Sequence, residues 1–308
     1  TFTSESVANS DSLVVVFVIG ESLRNDHLQL NGYERETTPY LMEEDNLVSL
    51  TDIYGAECFT HTSVPQIMTR ADSANPQRAY DEQSFVTIFK DAGFRTTWIA
   101  NQESVATYAY FMNECDTLIY VNGDKSVYTF DKWLDEDILP HLENELKDDN
   151  PKQLHILHSI GSHWWYNSHY TDEFERYTPV IKSRVVSSNT QEEMINSYDN
   201  TILYTDYFIK ETIDLIRDKK SILIFLSDHG ESLGEDGYYL HGADRPELHY
   251  PAAFVWDSDK YAQSFPDMIE NLKDNSDKKY RSDYLFHSII DAADITTEYI
   301  EPQLSIFR

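Results

Sequence analysis

The feature that most restricts this chain's fold is the run Leu13-Val14-Val15-Val16-Phe17-Val18-Ile19, in which every residue is apolar and most are β-branched. It shows no helical periodicity and falls far short of the ~20 apolar residues needed to cross a bilayer. A short, continuously apolar run is the pattern of a strand buried on both faces of a parallel sheet. Similar runs recur at residues 96–99, 154–157, 221–226 and 252–256. Helical patterns are predicted over 84–92, 130–147, 191–218 and 282–293. This alternation implies a layered α/β/α domain with a mostly parallel central sheet and right-handed crossovers. With no internal repeat, low-complexity stretch or Pro/Gly/Ser-rich linker, the expectation is one catalytic domain over 1–308.

Composition narrows the partners. The chain carries 24 Lys+Arg against 54 Asp+Glu, a formal charge of −30. Nucleic-acid binding needs a basic groove, and adhesion to anionic lipid needs a basic surface, so both are excluded as general functions. A solvated, self-repelling surface is the reading that remains, with a monomer expected. Cys58 and Cys115 are too few for a disulfide scaffold, and their spacing leaves open whether they pair. The chain starts at Thr1 without a signal-like segment, so a processed domain is expected, with any membrane anchor outside it.

In open α/β sheets, sites form beyond the carboxyl ends of the strands. Three strand ends are chemically loaded: Glu21 after the first run, Asp228-His229 after the run ending at Leu226, and the segment from His158 to His163 after Leu157. A carboxylate with an adjacent Asp-His pair matches the mixed ligand preference of Zn2+. His241 lies in Tyr239-Leu240-His241-Gly242, near enough for its loop to return to the same cluster. His163 and His241 are candidates for a second metal, a general acid or a phosphate contact. The segment Thr60-His61-Thr62-Ser63-Val64-Pro65 reads as a helix start, with a hydroxyl N-cap and proline in the first turn. Its positive end would favour a phosphoryl group, and a metal beside a threonine hydroxyl would make a nucleophile.

At this point a family resemblance becomes specific. Val18-Ile19-Gly20-Glu21-Ser22-Leu23-Arg24-Asn25-Asp26-His27, followed by Leu30-Asn31-Gly32-Tyr33-Glu34-Arg35-Glu36-Thr37-Thr38-Pro39, resembles the opening of lipid A phosphoethanolamine transferases, among them the mobile colistin resistance enzymes. Ser227-Asp228-His229-Gly230-Glu231-Ser232-Leu233-Gly234-Glu235 and Tyr239-Leu240-His241-Gly242 resemble the family's other signature, as does Ile195-Asn196-Ser197-Tyr198-Asp199-Asn200-Thr201. The resemblance implies an alkaline-phosphatase-like fold on the periplasmic face of the bacterial inner membrane, tethered by helices outside this chain. It also implies transfer of phosphoethanolamine from phosphatidylethanolamine to lipid A or another envelope glycan, through a phospho-threonine, with lipopolysaccharide modification and polymyxin resistance as the biological setting. Glu21, Asp228, His229 and the threonine match the family's zinc site, while His163 and His241 match histidines linked to substrate or to a second zinc.

Ungapped alignment through Ser63-Val64-Pro65 selects Thr60 as nucleophile, whereas alignment from Cys58 selects Thr62; Thr60 is favoured because a helix's first turn tolerates insertion poorly. Residues 98–104 match a substrate-contacting stretch only loosely, and the lysine expected after it is missing. A sulfatase nucleophile sits in Cys/Ser-x-Pro-x-Arg, but here Ile67 stands where arginine belongs. The alternatives are a phosphoglycerol transferase or phosphodiesterase of the same superfamily, and a non-catalytic acidic cation-binding surface protein.

Overall fold

The computed structural model describes residues 1–103, 106–128 and 130–308. A seven-stranded sheet is built from β1 (Leu13–Gly20), β2 (Leu47–Ser49), β3 (Arg95–Ala100), β4 (Thr117–Tyr120), β5 (Lys152–His158), β6 (Ser221–Ser227) and β7 (Ala253–Asp257). Their order across the sheet is β2-β7-β6-β1-β5-β3-β4. β6, β1, β5, β3 and β4 pair in parallel, and β7 runs against both of its neighbours. The layered, mostly parallel sheet expected from the apolar runs is therefore present.

β1 shows why. Leu13, Val15, Phe17 and Ile19 enter one hydrophobic cluster, and Val14, Val16 and Val18 enter another on the opposite face. Alternation puts successive side chains on opposite faces, so an unbroken apolar run is what a strand between two cores requires. Each fully buried side chain of this kind contributes roughly 1.5–3 kcal/mol.

The first cluster is covered by α1 (Thr60–Met68), α2 (Phe85–Asp91), α3 (Ala106–Glu114) and the later helix α6 (Tyr284–Ala292). The second is covered by α4 (Leu139–Glu145) and the 26-residue α5 (Gln191–Ile216). α5 starts at a capping box: Thr190 accepts from the Glu193 N–H, and the Glu193 carboxylate accepts from the Thr190 N–H.

Two expectations are corrected. The helical pattern over 130–147 yields a 3-10 turn at Asp135–Ile138 followed by α4. Ahead of them, Trp133 Nε1 donates to Asn101 Oδ1, and buried Asp135 accepts from the N–H groups of Ile160 and Gly161. Those bonds hold the segment against the ends of β3 and β5, and Pro140 restarts the helix at its first turn. In α1, Pro65 sits in the helix interior and the N-cap is Phe59, with no side-chain cap. Thr60 is the first helical residue, and its hydroxyl is turned to a different purpose.

β2 and β4 were not foreseen. They are short, lie at the sheet edges and, Val48 apart, leave their side chains partly buried or exposed. Cys58 and Cys115 are both free thiols. Among the described residues, no helix is long and apolar enough to cross a membrane.

Candidate metal centre and nucleophile

β6, β1 and β5 are neighbours at the middle of the sheet, so their carboxyl ends deliver Asp228, Glu21 and Ser159 to one place. Backbone bonds fix the bends: Asp228 N–H donates to Gly20 O at 3.0 Å, and Ser159 N–H donates to Ile19 O at 3.1 Å. Gly20 has no room for a side chain, since a Cβ would fall 2.4 Å from the Phe225 ring. Gly161 sits at φ 50, and a Cβ there would fall 2.9 Å from Glu21 O. Ser162 N–H donates to that same oxygen at 3.0 Å, drawing the His163 loop over Glu21.

Thr60 Oγ1 lies 2.5 Å from Asp228 Oδ2 and 2.9 Å from Glu21 Oε2. One hydroxyl proton cannot satisfy two carboxylates at once, and Glu21 Oε2 also accepts from Gln102 Nε2 at 3.3 Å. Ser63 Oγ donates to Asp228 O at 2.7 Å and fastens α1 to the end of β6. Thr62 is not part of the cluster, because its Oγ1 donates to Phe59 O at 3.1 Å within its own turn.

The His229 ring is oriented by its other nitrogen. Nδ1–H donates to Gly230 O at 2.6 Å, which leaves Nε2 with a bare lone pair. That Nε2 is buried without a hydrogen-bond partner, 3.6 Å from Glu21 Oε1 and 3.5 Å from Asp228 Oδ2. A lone pair facing two carboxylate oxygens is repulsive unless a cation sits among them. Ligand atoms around a tetrahedral zinc lie about 3.4 Å apart, so the spacing and the donor set fit Zn2+. Fixing a ligating imidazole through Nδ1 on a backbone carbonyl is also how zinc sites are held.

The electrostatics agree with that reading. Burial and the neighbouring Asp228 push the Glu21 carboxyl well above the usual carboxylate range. Burial would also raise Asp228, but His229 and hydrogen bonds from Glu21, Thr60 and the Ser22 N–H outweigh it and hold Asp228 low. Burial pulls His229 down, favouring the neutral, ligating imidazole.

His241 and His163 form the half-buried rim. The His241 ring lies 4.6 Å from that of His229 and 5.9 Å from that of His163. Its Nδ1 is 2.8 Å from Glu231 Oε1; burial pulls the imidazole down, but Glu231 reverses this and raises it. His163 Nδ1–H donates to Trp164 O at 2.5 Å, and burial beside His241 lowers that imidazole. Ligand atoms of Glu21, His163 and His241 lie within 4.8 Å of one another, as do those of Glu21, Asp228 and His229.

The structure thus brings together Glu21, Thr60, Asp228 and His229, sets His163 and His241 beside them, and leaves Thr62 out. Sequence reasoning missed two contributors. Gln102 Nε2 donates to Ser159 O at 2.6 Å and lies 3.3 Å from Glu21 Oε2. It follows the end of β3, so the strand-end rule could have found it. Within the loosely matching stretch 98–104, Ser104 lies outside the described residues. Glu231 orients His241 and accepts from Tyr166 Oη at 2.5 Å.

This chain is 37% identical over 272 residues to the Kdo(2)-lipid A phosphoethanolamine 7''-transferase of Escherichia coli K12, an alignment covering 85% of the chain and 47% of that protein. The chain spans about half the length of the curated relatives it matches. Among solved structures, the zinc complex of the C-terminal periplasmic domain of EptC from Escherichia coli superposes with a TM-score of 0.87 at 25% identity, covering 98% of this chain and 89% of that one. The soluble domain of lipooligosaccharide phosphoethanolamine transferase A from Neisseria meningitidis gives 0.86 at 27%, covering 98% and 95%. The sulfatase family model matches residues 14–295, nearly the whole sheet and both of its covering layers, and on that match the chain belongs to the sulfatase family.

Proposed function

We propose that this chain is the catalytic region of a zinc-dependent phosphoethanolamine transferase that works on the periplasmic side of a bacterial inner membrane through Thr60. The reading is carried by one observation: Thr60 Oγ1 lies against two buried carboxylates, beside an imidazole nitrogen with no partner. The names of the relatives support the transferred group, and lipid A or a related envelope glycan is the acceptor the reading assigns.

Glu21, Asp228, His229 and Thr60 Oγ1 would hold one Zn2+, which when bound would lower the hydroxyl's pKa and polarise a phosphoryl oxygen. Thr60 Oγ1, its proton passed to water, attacks the phosphorus of phosphatidylethanolamine. A bond forms from Oγ1 to phosphorus as the bond to the glyceryl oxygen breaks, releasing diacylglycerol once that oxygen takes a proton. His241 is suited to give that proton, because Glu231 favours its protonated form. An acceptor hydroxyl or phosphate then attacks the phospho-threonine, loses its own proton to the same imidazole where it carries one, and restores Thr60. The positive end of α1 stabilises negative charge on the transferring oxygens. The alternative use of His163 and His241 is a second zinc shared with Glu21, favoured by the closeness of their ligand atoms.

Intact-mass analysis after incubation with phosphatidylethanolamine tests the nucleophile. A phosphoethanolamine adduct is expected on wild type and on Thr62→Ala, and none on Thr60→Ala. An adduct that persists on Thr60→Ala would reject Thr60. Diacylglycerol release from phosphatidylglycerol instead would favour a phosphoglycerol transferase.

A further inference from the structure

A second set of mixed ligands lies outside this centre. Cys58 Sγ is 3.5 Å from Asp244 Oδ1 and 3.7 Å from His249 Nε2. The His249 ring is held as that of His229 is: Nδ1–H donates to a backbone carbonyl, here Gly55 O at 2.6 Å, and Nε2 faces the cluster. The Tyr54 ring stacks on it at 5.2 Å and fixes its plane. Cys58 and His249 are buried, while the Asp244 side chain is 75% exposed, so one side of the cluster is open to water.

We propose that Cys58, Asp244 and His249 form a further transition-metal site that takes a zinc-class divalent cation, distinct from the Glu21–Asp228–His229 centre. A thiolate, an imidazole and a carboxylate are the ligand types Zn2+ prefers, and thiolate excludes Mg2+ and Ca2+ as the natural occupants. With Zn–S near 2.3 Å and Zn–N or Zn–O near 2.0 Å, sulfur should lie about 3.6 Å from each partner, close to both distances observed. The third distance, 2.5 Å between His249 Nε2 and Asp244 Oδ1, is a hydrogen bond. On binding, the cation replaces the protons on Cys58 Sγ and between His249 and Asp244, and the exposed Asp244 carboxylate shifts outward to open the site. The charges of thiolate and carboxylate then balance the ion, with water as fourth ligand. Because Cys58 lies two residues before Thr60, such an ion would tie the entry of α1 to the 244–249 loop.

Cobalt reads the site directly. A thiolate-to-cobalt charge-transfer band requires a sulfur ligand, and the Glu21–Asp228–His229 centre has none. Wild-type protein reduced with a phosphine and titrated with Co2+ should develop this band, with an intensity at saturation that corresponds to one thiolate-bound cobalt per chain. The band should persist in Asp228→Asn and Cys115→Ser, and be lost in Cys58→Ser and His249→Ala, with bound Co2+ falling by one equivalent and circular dichroism unchanged. No band in the wild type, or one that survives Cys58→Ser, overturns the proposal whatever becomes of the Thr60 mechanism.

Discussion

Glu21 faces a choice between a proton and a metal. Its carboxyl is pushed up by burial and by Asp228, so it holds a proton more tightly than an ordinary carboxylate, and a cation must compete with that proton. Zinc affinity is therefore expected to rise with pH and to weaken as acid restores that proton, which calorimetric titration across pH would measure; pH-independent affinity would contradict it. Glu21→Gln should lower zinc affinity by at least about tenfold with the fold retained. Away from the centre, Asp257 is buried, its Oδ1 has no partner, and burial raises its carboxyl to about 7. A folded-state pKa above the unfolded value makes this acid destabilising once ionised, so its penalty is absent near pH 4, grows toward pH 7 and is level above it. Asp257→Asn should then gain about 1–3 kcal/mol over wild type at pH 8 and little at pH 4, as read by urea unfolding. Glu21, Asp228 and His229 were legible in the sequence because ionisable residues at the ends of apolar strands have few structural uses. Glu231 was not, since its contribution is to hold His241 and Tyr166 and only the packed loops reveal it.

At the scale of elements, the apolar runs were the readable part. β1, β3, β6 and β7 each coincide with a run to within a residue at either end, and β5 begins two residues ahead of its run, because both faces of these strands are buried. The pattern over 130–147 misled because the apolar spacing of Trp133, Leu134 and Ile138 is shared by an irregular segment of which Ile138 enters the core. The hydroxyls ahead of Pro65 resembled a cap, but Thr60 is drawn to the carboxylates across the sheet end, a tertiary contact that local propensity does not register. A tight constraint between elements is Gly20 under Phe225, whose ring stacks on Phe254 at 4.5 Å and cannot easily retreat. Gly20→Ala should destabilise the fold by about 1–3 kcal/mol in denaturant titration, with Phe225→Leu in the same chain restoring part of the loss.

For the molecule as a whole, a formal charge of −30 sets a background repulsion that screening relieves. The melting temperature should rise as sodium chloride is brought from ~10 to ~150 mM; a flat or falling response would mean that local ion pairs outweigh the net charge. Within that repulsive field, the sheet gathers two buried carboxylates at its centre, an arrangement that a divalent cation would resolve. Anomalous scattering at the zinc edge from crystals grown with zinc tests this most directly. The account predicts a peak within bonding distance of Glu21, Asp228, His229 Nε2 and Thr60 Oγ1. No peak there, with the Thr60 hydroxyl turned away from both carboxylates, would contradict it.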